Sequence, residues 1–319
     1  MKKNRRSVDP LAIGIEIGGT KIQVGVGSPS GNLLPDGILQ RSVLRELGAK
    51  GIRHELISMT DDILGVKQLK LSDIGKVGIG FGGLVDSKSG MILRSFQIDG
   101  WDKFPLREWA QKQWGKPVFI QNDANVAGLA EALRGSGQGN SRIFYMTLGS
   151  GIGGGWIVDG EIDDGQGYGA AEIGHTWVPD PIDGEPVELE QICSGWSIGR
   201  RAQLAASKQK TLMTSLAGAV DRIDAKIVYA AAEQGDEIAN RILIETCRTL
   251  GLAISNVVAL LHPERVILGG GVSLMGILFW DMLRKEAKSK MMPTFASQVE
   301  IVPAKLKEEV VVIGALCLG

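Results

Sequence analysis

Residues Gly14–Lys21 read GIEIGGTK, three glycines and a lysine set around Glu16, close behind a short basic N-terminus. Such a stretch can be a dinucleotide fingerprint, a phosphate loop before a helix, or a tight turn within a hairpin. The fingerprint wants G-x-G-x-x-G between a strand and a helix, with an acid about 20 residues on. A Walker loop wants G-x-x-x-x-G-K-[ST], but Lys21 is followed by Ile22 and the strand-like KIQVGVG. The turn therefore joins strand to strand: LAIGIEI and KIQVGVG open the protein as a hairpin that turns again at SPSGN. Gly18 and Gly19 can still let backbone N–H groups approach an anion, with the Thr20 hydroxyl and Lys21 ammonium beside them. A plain hairpin is the equal alternative on this stretch alone.

The pattern returns ~130 residues later in RIFYMTLGSGIGGGWIVDGEI (residues 142–162), a second strand, glycine turn and strand. Two such loops, one in each half, could grip a polyphosphate from both sides; ILGGGVS (residues 267–273) adds a surface suited to a flat nucleoside. Between them, residues 44–65 read as a helix, KVGIGFGGLVD as a strand, LREWAQKQWG as a helix and PVFIQ as a strand. From Gly195 onward the chain is mostly helical, with a long amphipathic stretch over residues 240–262, the buried strand RVILGGG and an apolar terminal helix in EEVVVIGALCLG. The expected division is a disordered tail over 1–10, a smaller α/β domain over 11–122 and a larger one over 123–305, with a helix at about 306–319 returning to the first.

At 319 residues, 44% of them apolar and 22% charged, the chain can bury two substantial cores. A formal charge of −1 supplies no general field for nucleic acid or an anionic membrane, and neither partner is expected. MKKNRRSVDP has the charge of a signal peptide's start without the apolar stretch and cleavage site that should follow, and no run approaches the roughly 18 apolar residues of a membrane span. Cys193, Cys247 and Cys317 are widely spaced and odd in number, which suggests no disulfide framework; a cytoplasmic location is expected.

In FIQNDANVAGLAEALRG, Asp123 stands just past a strand at the start of an alanine-rich helix. It can be an N-cap, or a general base kept ionised by the positive end of the helix; the two roles are compatible. Glu172 and His175 in AAEIGH and Glu190 in LEQICSG, taken singly, read as a surface acid, a structural histidine and another surface acid.

Taken together, IGIEIGGTK, GIGFGGLVD, DGW, QNDANVAGLAE, LGSGIGGG, GAAEIGH, LEQICSG, ILGGGVS and GALCLG run in an order that resembles the ROK family of repressors, open reading frames and kinases, within the actin-like ATPase superfamily. The resemblance covers nearly the whole chain. It implies two actin-like, ribonuclease-H-like α/β domains flanking a nucleotide and sugar cleft, and an ATP-dependent hexose kinase of glucokinase type that makes a hexose 6-phosphate. It puts the general base at Asp123 and the sugar beside Gly82, Gly83, Asn122, Glu172, His175 and Glu190. It puts the donor phosphates and nucleoside at Gly18, Gly19, Thr20, Lys21, Gly149, Ser150, Gly151, Gly269, Gly270 and Gly271, with Mg2+ held at position 16, through water. A homodimer is usual in the family, and polyphosphate is an alternative donor to ATP.

Two positions depart from the family's pattern. Glu16 stands where aspartate is usual, keeping the charge and reaching one methylene farther. After His175, the family's C-x-C-G-x-x-G-C zinc cluster is replaced by TWVPDPIDGEPVELEQIC, whose single Cys193 cannot complete a tetrahedral site, so no zinc is expected. The rival reading is a non-enzymatic sugar-binding regulator with degenerate catalysis. Repressors in the family add an N-terminal helix-turn-helix, which the roughly ten residues ahead of the first strand are too few to form.

Overall fold

The structure is a computed structural model that describes residues 10–319; the tail expected over 1–10 lies, Pro10 apart, outside the described residues. The chain divides into two compact units. The first takes the chain up to Arg134, Ile162–Ala170 and Glu308–Gly319; the second takes Gly135–Glu161 and Ala171–Lys307.

The first unit is built on a five-stranded sheet in the order Leu33–Ser42, Lys21–Gly27, Leu11–Ile17, Ile74–Phe81, Val118–Asn122. Lys21–Gly27 is antiparallel to both Leu33–Ser42 and Leu11–Ile17; Ile74–Phe81 runs parallel to both Leu11–Ile17 and Val118–Asn122. Alternation sorts the faces. Ile13, Ile15 and Ile17 join the core that includes Ile52, Leu56, Met59 and Ile63 of the helix Gly48–Val66. Gly14 and Glu16 point the other way. There the C-terminal helix Val310–Cys317 lies so close that a Cβ on Gly14 would stand 2.4 Å from the Val312 carbonyl oxygen, and one on Gly78 only 1.8 Å from that of Ala315. The first glycine of GIEIGGTK is thus a helix-packing residue, with no part in the turn.

Two expectations shift. A third strand, Leu33–Ser42, extends the opening hairpin; Pro35, Asp36 and Gly37 disguise it, and its exposed outer face marks a sheet edge, where such residues are tolerated. The helix Asp123–Arg134 groups with the first unit, past the expected boundary at 122, because it packs on the C-terminal helix: a Cβ on Gly314 would come within 2.0 Å of the Val126 carbonyl oxygen.

The second unit's sheet runs Glu161–Ile162, Ile152–Val158, Arg142–Leu148, Arg265–Gly269, Glu300–Pro303. Ile152–Val158 is antiparallel to Arg142–Leu148, and Arg265–Gly269 is parallel to both of its neighbours. Position for position this is the first sheet again, so the repeat glimpsed in the glycine turns is one of topology. The helix Glu237–Leu261 is long and apolar enough to cross a membrane, but Ile242, Leu243, Leu250, Ile254 and Val258 are buried in this unit's core.

Candidate active site

In the first unit, the turn after Leu11–Ile17 is closed by the Gly18 N–H donating to the Lys21 carbonyl at 3.0 Å. Neither Gly18 nor Gly19 has positive φ, and a Cβ on Gly19 would meet the side chain of the exposed Gln97, which can move aside. Thr20 is exposed, and its carbonyl accepts the Val43 N–H. Glu16 is 7% exposed, and its carboxylate lies 3.5 Å from the Lys21 ammonium. Burial pushes its pKa up to about 7; Lys21 opposes the shift, and Asp123 and Glu308 add to it. The buried Gln23 amide, turned with its nitrogen toward Glu16, donates to that carboxylate at 2.5 Å.

Asn122 and Asp123 sit where Val118–Asn122 meets the helix Asp123–Arg134. The cap expected of Asp123 falls largely to Asn122, whose Oδ1 accepts the N–H groups of Ala124 at 2.8 Å and Asn125 at 3.2 Å. Its Nδ2 donates to the Gly83 carbonyl at 3.1 Å, tying the capping side chain to the GFGG turn. Asp123 accepts the Ala124 N–H on Oδ1, while a Cβ on Gly82 would stand 3.2 Å from its Oδ2. Glycine at 82 keeps room beside the carboxylate.

In the second unit, the loop after Arg142–Leu148 is laced to its neighbours by backbone: Gly149 donates to the Gly151 carbonyl, and Gly195 donates to that of Gly149. Gly270, in the left-handed region at φ 81°, packs on Leu148 at a distance no side chain could share. These loops open a cavity of about 530 Å³ lined by Gly149, Ser150, Trp196, Tyr229, Gly271 and Met275, among others. Of the three expected glycines of ILGGGVS, Gly271 reaches the cavity; Gly269 ends its strand against the Tyr145 hydroxyl, and Gly270 makes the turn. Trp196 and Tyr229 were invisible as lining residues in the sequence. They follow helix starts capped by Ser194 and Asp224, a cue to their position but not to their neighbours.

Glu172, His175 and Glu190 gather in this unit as well. The Glu172 carboxyl is pushed up by burial, with His175 opposing and Glu190 adding to the shift. Glu190 accepts the Ile152 N–H at 2.7 Å, and a Cβ on Gly151 would collide with it, so this acid braces the glycine loop. One partner was missed. Glu188 faces His175 Nδ1 at 3.4 Å from the strand Pro186–Glu188, which pairs with Trp177–Pro179 where the cysteine cluster would be. Its only sequence signal is the E-x-E spacing with Glu190. The Cys193 thiol is buried against the Thr246 carbonyl, and burial raises its pKa. Among the described residues no three His, Cys, Asp or Glu side chains are gathered for a metal.

The ROK family's profile matches residues 12–319. The chain belongs to the ROK family. The glucokinase of Thermotoga maritima is 33% identical over 308 residues, 95% of either chain. A ROK family glucokinase from Streptomyces griseus, crystallised with glucose and AMPPNP, is 32% identical and superposes with a TM-score of 0.80 over 96% of this chain and 98% of that one. The xylose repressor of Caldicellulosiruptor bescii is 27% identical over 96% of this chain and 77% of its own length. The two mixed sheets of repeated order are accordingly the actin-like fold of the ROK kinases.

Proposed function

We propose that this ROK protein is an ATP-dependent hexose kinase that transfers the γ-phosphate to the 6-hydroxyl of a hexose. Near full-length similarity to glucokinases carries the activity. The reading of the site rests on the Asp123 carboxylate, held at a capped helix start beside the side-chain-free Gly82. In that reading Asp123 takes the proton of the sugar hydroxyl as its oxygen bonds to the γ-phosphorus and the bond to the bridging oxygen breaks, releasing ADP. Glu172, His175 and Glu190 are the proposed contacts of the other hydroxyls, and Asn122 and the Gly82–Gly83 backbone are the first unit's proposed sugar contacts.

The apolar walls of Trp196, Leu274 and Met275 suit a nucleoside and offer a polyphosphate chain little, so ATP is the donor proposed. Gly149, Ser150 and Gly151 of the second unit and Gly18, Gly19, Thr20 and Lys21 of the first are the proposed phosphate contacts. Magnesium fits the donor set in one form: Glu16 is a single buried carboxylate, costly to ionise alone, which suits a cation carried largely by phosphate oxygens and water. Bound there, the ion would neutralise phosphate charge.

A second reading, a sugar-binding regulator, draws on Glu16 and on the similarity to a xylose repressor. A panel of hexoses assayed with ATP and magnesium separates the two. Tight hexose binding without transfer from ATP, and with transfer restored by Glu16→Asp, would make this a sensor. A cytoplasmic location and a homodimer belong to the same proposal.

A further inference from the structure

Lys21 is already occupied by a residue distant in the chain. Its ammonium donates to the Glu308 carboxylate at 2.7 Å and to the Glu308 carbonyl at 3.2 Å, while standing 3.5 Å from Glu16. Glu308 lies just ahead of the helix Val310–Cys317, where the chain rejoins the first unit; its neighbour Lys307 is in the left-handed region at φ 50°. Glu308 is 77% exposed and Lys21 only 24%, so the carboxylate is the reachable half of the pair. One ammonium thus serves two carboxylates, with Asp123 adding its charge nearby. Arg45 joins Lys21 at this turn, donating to the Gly19 carbonyl at 3.3 Å, while Lys21 is the cation that Glu308 engages.

We infer that Glu308 competes with the donor for Lys21: its carboxylate engages the ammonium beside the glycine turn, and the donor phosphates must take its place there. The inference rests on the kinase reading. The exchange is feasible because the pair is solvent-facing, where an ion pair is weak, while the Glu308 carbonyl stays on Lys21 and keeps it aimed. Glu308 acts as a brake on donor binding that leaves the sugar untouched.

The test is a double-mutant cycle on the full chain, with ATP affinity read by calorimetry and KM for ATP and for hexose read separately. Glu308→Gln should tighten ATP about twofold to fivefold, the range of an exposed ion pair, with KM for hexose unchanged. Glu308→Asp should behave as wild type. In a Lys21→Met background the gain should vanish, because the competition is for Lys21. A gain of the same size without Lys21 would mean plain repulsion of phosphate by Glu308, and an unchanged or weakened affinity in Glu308→Gln would mean no competition; either overturns the inference while leaving the kinase intact. Wild-type protein that binds no ATP would overturn the inference together with the kinase reading.

Discussion

The Asn122 side-chain oxygen accepts the Ala124 N–H at 2.8 Å and thereby shares the capping of the helix that Asp123 begins. The helix does not depend on Asp123 alone for its start, so the carboxylate can be altered without losing the fold. Asp123→Asn is therefore expected to melt within a few degrees of wild type and to bind hexose within a fewfold, yet to lose turnover by about 10²–10⁴-fold, the range of general base catalysis. Kinetics beside calorimetric titration checks it; undiminished turnover would remove Asp123 from the mechanism.

Glu16 should make stability depend on pH in a definite direction. Its folded pKa is raised from 4.5 to about 7, so the protonated form is the one the fold prefers. The contribution is fully present below about pH 4.5 and is lost as pH rises through about 7, amounting to roughly 3 kcal/mol at most. Glu16→Gln should flatten that portion of a Tm-against-pH curve taken without nucleotide or divalent cation. A curve of unchanged slope would refute the assignment.

Glu16→Asp addresses the other side of the same residue. The shorter acid should change the magnesium concentration needed for half-maximal activity more than it changes KM for hexose, since the charge is kept and the reach is not. A magnesium titration at saturating sugar reads it, and a shift confined to the sugar would contradict the placement.

The Glu188 carboxylate faces His175 across a half-exposed contact of 3.4 Å. Glu188→Ala should raise KM for hexose about twofold to fivefold through a less fixed imidazole, with kcat little affected. A fall in kcat at constant KM would point instead to a role in the chemical step.

Two glycines differ in their tolerance of a methyl group. Gly78→Ala drives a Cβ into the Ala315 carbonyl and should cost about 1–3 kcal/mol by overpacking, whereas Gly65, with nothing within 4 Å of its Cβ position, should gain about 0.5–1 kcal/mol as alanine in its helix. Thermal melts of both variants decide the matter.

Local sequence was enough for what local physics governs. The hairpin around Gly18 and Gly19, the strand-turn-strand repeat, the long core helix and the glutamate at position 16 were legible because period, turn chemistry and side-chain identity are written in neighbouring residues. Spacing of motifs was also enough to suggest the family. What the tertiary structure decided depends on residues far apart in the chain. That Gly14 makes room for Val312, that Asn122 caps while tied to Gly83, that Glu190 braces Ile152 and that Lys21 is held by Glu308 are each set by which strand or helix lies beside which. A pKa near 7 for Glu16 likewise arises from burial and from charges brought to it by the fold, and a carboxylate read in its own sequence carries neither.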